Sequence, residues 1–471
     1  MGSKERFYAD VMAMHPEVTG SCNLVIVKLP NGETIRFIVD CGLFHEKAHD
    51  ELNSKLAFKP ENIDFCLVTH NHVDHTGRLP LLVKEGFLGP IYATETTCKL
   101  LPHALSDTFR ILTDVAKRKN QKCLYAEVDL SRTLDLLKPC KFNETIDVSN
   151  NVKVTFLKNG HLIGASMIVV QLTYPGCEDI NLKFTGDYNS ENIFFDVEPI
   201  PKWVLDLPLT VIQEATYGTM NSDEVEKVFE NNVIKHIEKG ATVIAPVFSL
   251  GRAQKILYVL KCMQDDGRLD RSIPIYFDGK LAIKYTNLYL NDELGLKEDM
   301  KDFLPDNLTF VDKSTRMDVV ASSKCKIIVT TSGMGSYGPA QTYIFEYITR
   351  KNALIHFTGY TAEGTLGRKL KDAEANGPVE ISGALFKKRA TVEYTTEFSD
   401  HAKADEMIDF LNQFTDLKLV LINHGEAETK TEFCNRVIEE VEVKNVGNLG
   451  REYFFRINHY GLVKTLSTKF E

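Results

Sequence analysis

Three histidines and an aspartate fall within six consecutive residues, His70-Asn71-His72-Val73-Asp74-His75, directly after the apolar run Ile63 to Val68. Imidazole and carboxylate are the ligand types that zinc takes from proteins, and a strand followed by a loop turned over two metal ions accommodates all four. The β-like step from His70 to His72 sends both side chains the same way, leaving Asp74 and His75 to reach a second ion. A polar loop that merely happens to hold histidines is the bland alternative, and the density of ligand types argues against it. One short loop cannot complete two coordination shells, so the chain must fold to bring further ligands from distant strand ends.

Candidates for those ligands stand in suitable places. His161 follows the run Val152 to Leu157, inside Asn159-Gly160-His161-Leu162-Ile163-Gly164, where the glycines permit close backbone approach. Asp187 ends the run Leu182 to Thr185, within Phe184-Thr185-Gly186-Asp187-Tyr188, and a carboxylate there is placed to bridge two cations. His424 follows Lys418 to Ile422, inside Asn423-His424-Gly425-Glu426. Each alone reads as an ordinary polar residue at a strand end. Their shared position, after a β run and beside a glycine, makes them candidates.

The whole chain, at 471 residues, exceeds what one hydrophobic core usually serves. Up to about residue 217 it reads mostly as strands: Leu24 to Leu29 and Thr34 to Val39 around an Asn31-Gly32 hairpin signal, then Ile63 to Val68, Val152 to Leu157, Met167 to Leu172, Leu182 to Thr185 and Leu209 to Gln213. Helices are expected at Leu79 to Glu85, Ala104 to Arg118 and Leu130 to Leu137. After Tyr217-Gly218 strands alternate with helices. A helix capped by Asn221 or Ser222 is expected to run to about Lys239, followed by strands at 242–247, 275–277, 327–330 and 353–357 and helices at 252–264, 281–290 and 341–349. That alternation predicts βαβ units on a mainly parallel sheet. The run Val392 to Thr396 returns to β, so the expected division is 1–217, an insert at 218–391, and 392–471.

Composition narrows the class. With 43% hydrophobic and 25% charged residues the chain is globular, and no apolar run approaches the roughly 18 residues of a spanning helix. Charges in Met1 to Asp10 argue against a secretory leader, and Arg6 stands where acylation at Gly2 would want Ser or Thr. Ten scattered cysteines without a CxxC pair fit reduced thiols in the cytoplasm. A net charge of -10 argues against a broad nucleic-acid-binding face, so such a substrate would need a local basic cleft and metals.

His70-x-His72-x-Asp74-His75 resembles the signature of the metallo-β-lactamase superfamily, with His161 and Asp187 similar to its next ligand motifs. Asp40, in Ile38-Val39-Asp40-Cys41-Gly42, resembles its first motif, a carboxylate that steadies the site from behind the ligands. The resemblance implies an αββα sandwich holding two Zn2+, with Mn2+ or Fe as substitutes. One ion would lie among His70, His72, His161 and Asp187, the other among Asp74, His75, Asp187 and His424.

The inserted stretch carries a narrower likeness, to the β-CASP group of nucleases. Glu214-Ala215-Thr216-Tyr217-Gly218 resembles its motif A, Phe398-Ser399-Asp400-His401-Ala402 its motif B, and His424-Gly425-Glu426 its motif C. Phe248-Ser249-Leu250-Gly251-Arg252 is similar to a loop of the group that opens a helix, a natural phosphate site through Ser249 and Arg252. Ser332-Gly333-Met334-Gly335-Ser336 resembles the group's Ser-Gly-Met loop, whose bare N–H groups suit an RNA phosphate. Standing alone, either loop would read as a tight turn with packing glycines.

The likeness implies hydrolysis of RNA phosphodiester bonds, leaving 5′-phosphate and 3′-hydroxyl ends, with His401 as general acid oriented by Glu214 and with Asp40 and Asp74 in the catalytic site. His at motif C accompanies RNA rather than DNA substrates in the group. A DNA nuclease of the same group, or an inactive RNA-binding scaffold, are the alternatives. Asp400 departs from the small residue usual before His401, and its charge is expected to bear on phosphate approach or on His401; Asp405 stands in for an acidic residue usually nearer motif B. No membrane is expected as a partner, and Tyr453 to Thr468 fits a terminal hairpin able to pair in a homodimer.

Overall fold

The computed structural model describes residues 7–15, 18–45, 47–291, 294–322, 325–381 and 383–467. Met1 to Arg6, where most of the leader and acylation readings fall, and Thr468 lie outside the described residues. The chain divides into two compact units, one of Met1–Asn192, Asp196–Asp223 and Asp400–Glu471, the other of Ile193–Phe195 and Glu224–Ser399. Among the described residues no helix is long and apolar enough to cross a membrane.

The first unit holds an eight-stranded and a seven-stranded sheet. The first sheet runs, in spatial order, Gly461–Ser467, Tyr453–Asn458, Tyr8–His15, Cys22–Lys28, Thr34–Val39, Phe65–Leu67, Ile91–Thr94 and Leu137–Cys140. The second runs Val446–Asn448, Leu417–Asn423, Leu209–Glu214, Ile180–Phe184, Ser166–Leu172, Val152–Lys158 and Thr145–Ser149. Strand periodicity explains how they stack. Val154, Phe156, Ile168 and Val170 meet Val11, Val25, Phe37 and Val39 of the facing sheet, while the alternate residues Leu157, Met167 and Val169 turn outward onto Met407, Leu411, Phe433 and Val437. Those last four lie on helices Ala404–Leu411 and Ala427–Glu440. On the opposite side, Leu79, Leu82 and Val83 of helix Leu79–Lys84 cover the first sheet. The layers are helix, sheet, sheet, helix, the αββα sandwich expected.

Chain direction places the loops. Phe65–Leu67 runs parallel to Thr34–Val39, and Ile180–Phe184, Leu209–Glu214 and Leu417–Asn423 are parallel neighbours. Val152–Lys158 points the same way, two antiparallel steps from Ile180–Phe184. The carboxyl ends of these strands carry Asp40, His70, His161, Asp187, Glu214 and His424. Sites gather at such ends because loops and backbone N–H groups converge there.

One residue of this framework costs stability. Lys183, on Ile180–Phe184, is fully buried; its ammonium donates to Met167 Sδ at 2.7 Å and lies 4.5 Å from the Phe410 ring centre. Burial pushes it well below the ordinary lysine value of 10.5. Lys183→Met is therefore expected to stabilise the protein by about 1–3 kcal/mol at pH 7. Between the depressed value and 10.5 the unfolded chain holds the extra proton, so wild-type stability rises with pH and the variant's advantage shrinks. Urea melts at pH 7 and pH 9.5 check both; a less stable variant would contradict the account.

The second unit is built on six parallel strands in the order Leu308–Val311, Ile275–Asp278, Lys326–Thr330, Thr242–Pro246, Ala353–Phe357 and Thr391–Tyr394. Thr391–Tyr394 pairs with Ala353–Phe357 in this sheet, so it lies with the insert, and the compact units part between Ser399 and Asp400. The helix expected from Asn221 or Ser222 also differs: Ser222–Glu224 is one 3-10 turn, and the α-helix is Phe229–Ile237. Ser222 gives both its N–H and its hydroxyl to Asp405 instead of capping a helix of its own. Two helices of the first unit are longer or shifted. Glu95–Lys119 starts well before Ala104, capped by the Thr94 hydroxyl, with Pro102 inside it; burial of Leu100, Leu101, Ala104 and Leu105 offsets the bond that proline forfeits. Glu127–Asp135 stops short because Leu137 begins a strand. The C-terminal hairpin forms, its inner strand pairing with Tyr8–His15 of the same chain.

Candidate active site

The ligand candidates converge. His70, His72, His161 and Asp187 offer atoms that all lie within 4.8 Å of one another, as do Asp74, His75, Asp187 and His424, and as do Asp187, Glu214 and His401. Asp187 belongs to all three groups. Its carboxylate faces His75 at 3.2 Å, His424 at 3.4 Å, His70 and His161 at 3.7 Å, and His401 at 3.9 Å. Nothing larger than glycine fits beside this cluster at two points. A Cβ on Gly42 would lie 1.5 Å from the Asp74 carbonyl oxygen, and one on Gly186, at φ +55°, would lie 2.8 Å from Thr69 Cβ. Asp40 and His424 take positive φ, 65° and 45°, conformations uncommon outside glycine and held here by the surrounding packing.

Hydrogen bonds behind the ligands settle which ring nitrogens carry protons. Asp40 accepts the Thr69 N–H, the Thr69 hydroxyl and His75 Nδ1, each at 2.8 Å. The Thr69 hydroxyl hydrogen is thus committed to Asp40, so at 3.1 Å its oxygen accepts from His70 Nδ1. His161 Nδ1 donates to the Asp400 carbonyl at 2.9 Å. Thr216 gives its hydroxyl hydrogen to Glu214 at 2.6 Å and accepts from His424 Nδ1 at 3.2 Å. In each case Nε2 is left with a lone pair, the tautomer a metal ligand needs. Nε2 of His70, His72, His75 and His424 and Oδ1 of Asp187 are buried without a hydrogen-bond partner in the protein. A buried polar atom left so costs about 1–3 kcal/mol, and five in one cluster fit a site shaped for cations.

Electrostatics divide the rings. Burial opposes a charge on His75, yet Asp187 and Asp40 raise it well above the usual histidine value, so a cation bound there must displace a proton. Burial, with neighbouring imidazoles, holds His70 well below the usual histidine value and His72 at about 3, so both present neutral rings. Burial opposes ionisation of Asp187, yet His424, His75 and His401 hold it well below the ordinary carboxylate range. His401 Nδ1 lies 3.0 Å from both oxygens of buried Glu214. Burial works against the imidazolium, but Glu214 and Asp187 prevail and raise His401 above 6.5. Glu214 is itself fixed by the Tyr188 N–H at 2.9 Å and by Thr216.

Asp400 meets His161 through its carbonyl, and both that carbonyl and its carboxylate favour the charged form of the ring against burial. Arg252 is 8% exposed and its guanidinium donates to the Thr358 carbonyl of the same unit. Its place at a helix start suggested a phosphate contact; the Thr358 carbonyl is the partner its guanidinium has here. Ser249, Ser332, Met334 and Ser336 are half-buried, while Gly333 and Gly335 are buried; Ser336 Oγ accepts the Leu366 N–H at 2.8 Å. Asn159 had been read only as part of a turn. Its side chain accepts the His161 N–H at 3.0 Å and donates to the Asp187 carbonyl at 3.1 Å, pinning two ligand loops together.

Three family profiles match the chain: the metallo-beta-lactamase superfamily over residues 18–195, the Beta-Casp domain over 253–370, and the Zn-dependent metallo-hydrolase RNA specificity domain over 387–446. A ribonuclease of Thermus thermophilus is 31% identical over 88% of this chain and 91% of its own length. The transcription termination factor FttA of Methanosarcina mazei is 28% identical over 87% of this chain and 66% of its own. The endoribonuclease ysh1 of Schizosaccharomyces pombe is 29% identical over 87% and 53%. The chain thus spans about two thirds of the termination factor and half of the yeast enzyme.

Proposed function

Since the chain belongs to the β-CASP branch of the metallo-β-lactamase superfamily, we propose that it is a metal-dependent ribonuclease cutting RNA internally and leaving 5′-phosphate and 3′-hydroxyl ends. The observation that carries the proposal is Asp187, shared between two groups of ligands and 3.9 Å from an imidazole backed by a buried carboxylate. Two Zn2+ are the expected ions, held by His70, His72, His161 and Asp187 and by Asp74, His75, Asp187 and His424, with Mn2+ or Fe able to substitute. When bound, such ions supply Lewis acidity and a nucleophile at neutral pH.

The chain's own residues do the rest. Asp40, Thr69, Asp400 and Thr216 hold the ligand rings in the required tautomer. Asp187 and Glu214 keep His401 protonated, with Nδ1 engaged by Glu214 and Nε2 turned toward the shared carboxylate. As the water oxygen gives up a proton to solvent and bonds to phosphorus, the P–O3′ bond breaks, the Nε2 proton passes to O3′ and the ribose leaves as an alcohol. The insert, proposed to span about residues 218–391 and extending to Ser399 by compactness, offers Ser249 and the backbone of Ser332 to Ser336 to RNA phosphates. His424 favours RNA over DNA as substrate. Ten free cysteines fit a cytoplasmic setting.

The test is cleavage of RNAs labelled at either end, carrying a 5′-phosphate or a blocked 5′ end, with DNA of the same sequence alongside and metal content measured on the same sample. Internal cuts on both RNAs, abolished by chelation, are expected. Preference for DNA would favour the DNA-nuclease alternative, and cutting that survives metal removal would refute the chemistry.

A further inference from the structure

Lys403 lies two residues beyond His401 and is 6% exposed. Its N–H donates to Glu406 Oε2 at 2.6 Å, fixing it at the start of helix Ala404–Leu411. From there the ammonium returns toward the site. It donates to the His401 carbonyl at 3.2 Å and sits 4.1 Å over the centre of the Tyr217 ring. Tyr217 follows Thr216 and Glu214 in the loop that backs the imidazole, and its ring centre is 6.0 Å from that of His401. One desolvated cation therefore joins the two loops whose relative position sets the His401–Glu214 contact. A cation held by a ring face and a carbonyl is an oriented tether, since both partners weaken steeply when it moves.

Resting on the reading of His401 as general acid, we propose that Lys403 is a positioning residue for that acid: through Tyr217 and the His401 carbonyl it holds Nε2 where the leaving O3′ must take its proton. Lys403 touches no ligand side chain, and the nearest ligand loop keeps a hold outside the His401 loop, through Asn159 to the His161 N–H and the Asp187 carbonyl. Its loss should therefore damage proton delivery and leave the metal groups whole. A displacement of about 1 Å in a reacting group can cost on the order of 100-fold.

The experiment compares two RNAs, one natural and one with sulfur replacing the 3′ bridging oxygen at the mapped cleavage site. A thiolate leaves without needing a proton. Lys403→Met is expected to lower kcat on the oxygen substrate by roughly 10- to 100-fold, with KM and bound metal unchanged, and to run near the parent rate on the sulfur substrate. Lys403→Arg, which keeps charge and ring contact, should recover part of the loss, and Tyr217→Leu should show the same pattern more weakly. Equal slowing on both substrates, or lost metal, would make Lys403 a structural residue only; a raised KM would make it a substrate contact; a parent-like kcat would remove any role. His401→Ala on the same pair separates the two layers. If it slows both substrates alike, the general-acid reading itself fails; if it favours the sulfur substrate and Lys403→Met does not, the inference alone fails.

Discussion

Asp187→Asn is expected to empty both metal groups at once and to reduce RNA cleavage by roughly 10³-fold or more. The substitution preserves shape and removes one negative charge. That charge faces five imidazoles within 3.9 Å and is the one carboxylate common to both ligand groups. A neutral amide is a poor ligand for zinc. Asp74→Asn makes the contrast, since Asp74 belongs to one group alone. Metal analysis should find about two ions per chain in the parent, about one in Asp74→Asn, and well under one in Asp187→Asn. Two ions retained in Asp187→Asn would show that the carboxylate is not shared, and the proposed site would have to be redrawn.

The second large effect is at His401. His401→Ala should slow cleavage by about 10²–10⁴-fold while both ions stay bound, because the imidazole is proposed to donate a proton and is not needed to complete either ligand group. Loss of metal in that variant would contradict its assignment. The pH profile adds a signed test. Glu214 and Asp187 raise His401 against the opposing effect of burial, so the acid form persists through neutrality and the rate should fall as pH climbs past its raised value. Glu214→Gln removes one of the two carboxylates responsible, so the falling limb should move to lower pH. An unmoved limb would mean that another group supplies the proton.

The chemistry was legible in the primary structure wherever it needed rare side chains in ordered places. His70, His72, Asp74 and His75 crowd one loop, and His161, Asp187 and His424 each end a strand beside a glycine, so the ligand groups could be named before any distance was known. The Glu214–His401 contact was legible too, through motifs similar to those of a known group. What escaped notice was work done by common groups. The Asp400 carbonyl is available at every residue type, and Thr69, Thr216 and Asn159 matter for where one hydrogen points. Lys403 looked like any charged residue at a helix start.

Fold errors have the same character. Thr391–Tyr394 has strand composition, but only pairing decides which sheet receives it. Ser222 is a good cap by type, yet Asp405 takes its donors. Pro102 reads as a stop, yet sits inside a helix whose buried face outweighs it.

By itself, then, the sequence determined the strand and helix periods, the ligand types and the superfamily, because hydrophobic spacing and side-chain chemistry are local properties. Only the tertiary structure decided which ring nitrogen keeps its proton and which cation tethers the acid. Those depend on directions and distances between residues hundreds apart in the chain, such as His161 and Asp400, and no local pattern encodes them.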